Sequence, residues 1–137
     1  MFKKILIFAL AISLMFLVGF SNQTLLFSKY SNKHEIYINS NSSNAQIVQI
    51  ENKNLFNLNG VYGESFKAEK ENFSLDALLK EYGARLIKTE IVGDIVCYYA
   101  YSPKIKYRAF ISGQAVNLHV AVSNQVTVGS PLIFGGF

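Results

Sequence analysis

ARLIKTEIVGDIVCYYAYSPKIKYRAFISGQAVNLHVAVSNQVTVGSPLI, residues Ala84–Ile133, decides how this chain folds. Apolar segments alternate through it and are cut by tight-turn residues. Arg85–Val92 sets Ile87 and Ile91 on one side, with Lys88 and Glu90 in polar positions. Gly93-Asp94 is a two-residue hairpin signal that places a positive φ at glycine. Ile95–Tyr101 is nearly all apolar or aromatic, which is the pattern of a central strand. Ser102-Pro103-Lys104 ends it, Lys106–Ile111 reads as the next strand, and Gly113-Gln114 reads as a turn. Ala115–Val122 alternates strictly. Val116, Leu118, Val120 and Val122 fall on one face, Asn117 and His119 on the other. Ser123-Asn124 then turns the chain into Gln125–Val128. No proline lies between Pro103 and Pro131, which suits unbroken ladders.

Just upstream, Leu75, Leu78, Leu79 and Tyr82 recur at helical spacing. Ser74 is placed to cap that helix, Asp76 favours its first turn, and Gly83 stops it. A helix of this length is marginal alone and must be held by packing. The expected fold class is therefore α+β: one short helix packed on a four- to five-stranded antiparallel meander. Earlier still, His34–Asn39 and Ala45–Glu51 alternate enough to form a hairpin across an Asn/Ser-rich loop. Asn52–Asn72 gives no secure assignment, and its charged run Lys67–Glu71 reads as a solvated connector carrying Glu64, Glu69 and Glu71 nearby.

The first twenty residues are of another kind. Lys3 and Lys4 precede a long apolar run, Ile5 to Phe20, the order of a secretory signal or a signal-anchor helix. Sixteen residues rise roughly 24 Å as a helix, short of a typical bilayer core but able to span with local thinning. Lysines on the cytoplasmic side direct the rest of the chain outward. Cleavage and retention both stay open, since Gly19-Phe20-Ser21 offers only an imperfect cut site. The chain divides into a signal peptide or membrane anchor at 1–21, a polar tether at 22–44, and an extracytoplasmic α+β domain at 45–137. Its location is membrane-anchored or secreted, and the membrane is a partner if the segment is uncleaved.

Composition narrows the function classes. The net charge is +4 over 137 residues. Setting aside Lys3 and Lys4 leaves eleven basic against nine acidic side chains, too thin a surplus for a nucleic-acid surface. The one cysteine, Cys97, excludes an intramolecular disulfide and a paired-cysteine metal motif. Only two histidines are present, His34 and His119, far apart and without carboxylates at ligand spacing, so no metal and no cofactor is expected. No G-x-S-x-G elbow occurs and no two acids are placed to converge, so the chain is read as not an enzyme. The densest unusual feature is tyrosine: Tyr98, Tyr99, Tyr101 and Tyr107, beside Lys104, Lys106 and Arg108. Alternation puts Tyr99 and Tyr101 on one face. With Asn117 and His119 they form the candidate binding residues, for a protein or cell-wall partner. The alternative is a peptidoglycan- or glycan-binding module, or an envelope hydrolase, that uses this tyrosine-rich face.

Four short motifs complete the reading. Val92-Gly93-Asp94, Tyr99-Ala100-Tyr101-Ser102-Pro103, Val116–Val122 and Val126–Ile133 resemble the YwmB-like family of Firmicutes, over about Phe73–Phe137. That family carries a TATA-box-binding-protein-like label by fold. The resemblance implies an exported α+β protein of spore-forming bacteria, in a sporulation or cell-wall setting, with no assigned activity.

Overall fold

The computed structural model describes Lys3, Lys4 and residues 25–31, 33–40, 42, 44–51 and 60–136. The hydrophobic helix expected within residues 1–21 lies outside this set apart from the two lysines. Among the described residues no helix is long and apolar enough to cross a membrane.

The chain is α+β, and its sheet is larger than expected. Among the described residues nine strands are present: β1 (His34–Ile38), β2 (Gln46–Ile50), β3 (Val61–Glu69), β4 (Arg85–Val92), β5 (Ile95–Tyr101), β6 (Ala109–Ile111), β7 (Gln114–Val116), β8 (Leu118–Val122) and β9 (Gln125–Ser130). Helix α1 (Leu75–Tyr82) falls between β3 and β4. Seven strands form one antiparallel sheet in the order β2-β1-β3-β9-β8-β5-β4, and β6 pairs with β7 as a separate ribbon. The expectation of a four- to five-stranded meander is corrected on both counts. β9 pairs with β3 as well as with β8, which joins the first three strands to the later ones. Strands β5 and β8 are neighbours in the sheet although β6 and β7 lie between them in the chain, because these two pair as a ribbon of their own.

The helix forms where its signals place it. Ser74 Oγ accepts from the Ala77 N–H at 3.2 Å, and Gly83 closes the end at φ 57°. The β4–β5 hairpin turns at Gly93-Asp94, with Gly93 at φ 61°. Two segments differ from expectation. The strand read at Lys106–Ile111 is reduced to β6, and the run Ala115–Val122 is broken at Asn117 into β7 and β8.

Within the stretch read as a polar tether, the described residues 25–31 and 33–40 carry core positions. Leu25 and Phe27 are buried, and β1 lies inside the sheet. The surrounding Asn and Ser dilute the composition enough to hide this apolar core. Phe27 stands against Phe66 at 5.0 Å between rings, and Tyr30 stacks on Phe66 at 5.2 Å. Burying a side chain of this size stabilises by about 1.5–3 kcal/mol.

Alternation gives the sheet two dissimilar faces. Phe66, Val128, Val120 and Tyr98 form a row across four strands, since each is paired with the next. This face packs against Leu78 of α1, Phe27 and the loop residues Ile105 and Tyr107. The next row, Ser65, Gly129, His119 and Tyr99, belongs to the opposite face. There the C-terminal residues cross the sheet, and Ile133 packs with Cys97, Ala121 and Tyr99. Covered on both sides, Val126, Thr127, Val128 and Gly129 are all buried.

Candidate functional site

The four residues singled out in the sequence occupy three environments. Asn117 is 1% exposed and interrupts the β7–β8 run. Its Oδ1 accepts from the Ser102 N–H at 2.8 Å, and its Nδ2 donates to the carbonyls of Ser102 at 2.7 Å and Ile105 at 3.3 Å. The Ser130 hydroxyl donates to the Asn117 carbonyl at 2.6 Å. A primary amide is the one side chain that both accepts from and donates to main chain in this way. Asn117 therefore fixes the loop after β5 and turns no polar atom to a ligand. Asn117→Ala leaves the Ser102 N–H and two carbonyls without these partners. Urea unfolding should show a loss of about 2 kcal/mol, and a change below about 0.5 kcal/mol would remove this account.

His119 is 5% exposed, and its Nδ1 accepts from the Ile133 N–H at 3.1 Å. Burial pushes its pKa down to about 4, so the ring is neutral near pH 7. Tyr99 lies half-buried and stacks on it, 4.5 Å between centroids with the planes 25° apart. Burial raises the Tyr99 hydroxyl above its usual value, with the neighbouring Cys97 and Glu90 adding to the rise. Tyr101 is separate from this pair. Its hydroxyl accepts from Arg108 Nη2 at 3.1 Å, with the guanidinium 5.7 Å from the ring centre. The structure brings Tyr99 and His119 together and keeps Tyr101 and Asn117 apart from them. Cys97 is buried, and burial holds its thiol above the ordinary range.

Glu64 was read as part of a charged connector, and this is corrected. It is fully buried on β3. Oε1 accepts from the Phe27 N–H at 2.8 Å and Oε2 from the Tyr107 hydroxyl at 3.2 Å. Burial raises its pKa, opposed by the Phe27 and Leu26 N–H groups, the Tyr107 hydroxyl and the charge of Lys106. Tyr107 and Tyr82 are both pushed up by burial, and Tyr82 donates to the Leu26 carbonyl at 2.9 Å. The signal was available: Glu64 stands two residues before Phe66 and shares its face. It straps residues 25–30 onto the sheet.

One open depression of about 680 Å³ lies at the end of β1, β2 and β3. Lys33, Glu35, Gln49, Glu51, Ser65 and Lys67 contribute to its lining. The Ser65 hydroxyl donates to Glu35 Oε2 at 3.4 Å, inside this depression. Its walls mix both signs of charge with amide and hydroxyl groups and with the apolar Ile50 and Phe66, a composition suited to an extended chain that carries both polar and apolar side chains. No residue type in the sequence announces it, because it forms only where the β1–β2 hairpin meets β3 and Gln125. Among the described residues no cluster of three or more His, Cys, Asp or Glu is placed to hold a metal.

No protein-family profile, curated protein or solved structure matches the chain.

Proposed function

We propose that this chain is a non-catalytic extracytoplasmic domain, secreted or held at the membrane by residues 1–21, that binds a protein or cell-envelope partner. The observation that carries the reading is the open depression of mixed polar and apolar lining at the end of β1, β2 and β3. It is open, and it offers Lys33 and Lys67 together with Glu35 and Glu51 to an extended ligand of mixed charge. The setting, sporulation or cell-wall work in a Gram-positive bacterium, rests on the Lys3-Lys4 apolar segment and on the YwmB-like motifs between Val92 and Ile133.

The glycan-binding alternative rests on Tyr101, whose ring is half-exposed under the Arg108 guanidinium. Tyr99 supports it less, since its ring is already stacked on His119.

A photo-crosslinking side chain at position 67, compared with one at Lys80 on α1, separates these readings in living cells. Adducts of discrete mass from position 67 alone support the depression. Equal adducts from both positions, or none from 67, overturn it. Retention on purified peptidoglycan that is lost in Tyr101→Ala would favour the glycan reading instead.

A further inference from the structure

β4 is the last strand of the sheet. It pairs with β5 on one side and with no strand among the described residues on the other. Seven of its eight residues are exposed. Ile91 is 73% exposed, Val92 53% and Leu86 44%, which makes this the most apolar open edge of the fold. Such an edge is a template for another strand unless it is covered or specifically matched.

We propose that β4 docks against β4 of a second copy of this chain, antiparallel about a two-fold axis at Thr89, so that two sheets become one. The strand's own sequence carries the match. A two-fold normal to the sheet keeps every side chain on its own face, so only residues of like parity can stand opposite each other. With Thr89 opposite Thr89, Lys88 faces Glu90 twice and Ile87 faces Ile91. Lys88 and Glu90 already lie 3.9 Å apart within one chain, both about half exposed. Two copies would close them into a quartet of alternating charge. Moving the axis one residue toward the N-terminus sets Lys88 against Lys88, and one residue the other way sets Glu90 against Glu90. Like charges directly opposite are unfavourable, so one register is selected.

The backbone agrees with that register. Val92 and Ile95 close the two-residue turn, and hydrogen bonding alternates along a hairpin from its closing pair. Thr89 and Ile91 therefore turn their N–H and C=O groups to the open edge. These are the groups the Thr89-centred register needs. The bulge between Leu86 and Lys88 bends the strand beyond this point. It confines the ladder to Ile87–Ile91, and an interface this small associates weakly.

The test uses the full chain in detergent micelles. Sedimentation equilibrium should show a reversible dimer. Lys88→Glu should weaken it about tenfold or more, as should Glu90→Lys. The double exchange Lys88→Glu with Glu90→Lys should restore it. All three changes are on exposed side chains and leave the core untouched. In a Cys97→Ser background, Thr89→Cys should give a disulfide or short-linker dimer, and Lys80→Cys should not. A monomer at all concentrations overturns the proposal. So does a dimer that ignores both charge reversals or fails to cross-link at position 89.

Discussion

Gly63→Ala is expected to destabilise the domain by about 3 kcal/mol or more, the upper range for overpacking a closed site. Gly63 stands opposite Tyr37 where β1 and β3 pair. A methyl group there would sit 2.7 Å from Tyr37 Cδ2 and 2.8 Å from Pro131 Cδ, and would fall on the Ser130 carbonyl oxygen. None of these three has an easy retreat. Tyr37 is fully buried, and its hydroxyl accepts from the Phe134 N–H at 3.2 Å. Ser130 is held through its hydroxyl to the Asn117 carbonyl. Relief must come from moving the C-terminal crossing away from the sheet, which also draws Ile133 from Cys97 and Ala121. Urea unfolding is the measurement. A Gly63→Ala protein within about 0.5 kcal/mol of wild type would show that the crossing is loose.

A comparable loss, about 3 kcal/mol, is expected for Glu64→Ala, because a buried N–H and a buried hydroxyl lose their acceptor and a cavity remains. Glu64→Gln separates the shape of this side chain from its charge. Burial holds the folded carboxyl above its ordinary value of 4.5, so the native state takes up a proton more readily than the unfolded chain. The stability that this contributes is complete below the ordinary value and is lost as pH rises through the raised one. Glutamine does not titrate. The wild-type protein should therefore lose stability relative to Glu64→Gln as pH is raised from 4.5 toward neutrality. His119 works in the opposite sense, since its pKa is lowered to about 4 and its contribution fades as pH falls below 6.5. Both proteins contain His119, so its effect cancels in the difference. Unfolding curves for the two proteins at a series of pH values give the answer. A difference that is constant with pH, or rises with it, would show that Glu64 is not held as a buried acid.

Much of the second half was legible in the sequence because its signals are local. Ser74, the Leu75–Tyr82 face and Gly83 act within a few residues of one another, and the helix they predict is the helix observed. The same holds for the turn at Gly93-Asp94 and for the alternation of β8. What stayed hidden depends on distant partners. β3 contains Glu64 and Ser65, polar residues that look solvated until β1 and β9 flank them. Asn117 alternates correctly with its neighbours, yet its amide is taken by main chain fifteen residues earlier. Apolar Leu25 and Phe27 were lost among Asn and Ser. Of the candidate site, Tyr99 and His119 were singled out on separate strands, and only the β5–β8 pairing sets them side by side, while the depression at the end of β1–β3 has no counterpart in any single stretch.

The place of β9 has a consequence for how the chain is made. Among the described residues Gln125–Ser130 is the only strand that pairs with both halves of the sheet: β2, β1 and β3 on one side, β8, β5 and β4 on the other. Until it emerges, no strand ladder joins the two halves, which are three strands each. Contacts spanning this much sequence form slowly, after the loops between them have been closed. A chain threaded from its N-terminus, through a ribosome or a membrane pore, would stay pliable over most of its length. It would lock only when its last strand arrives.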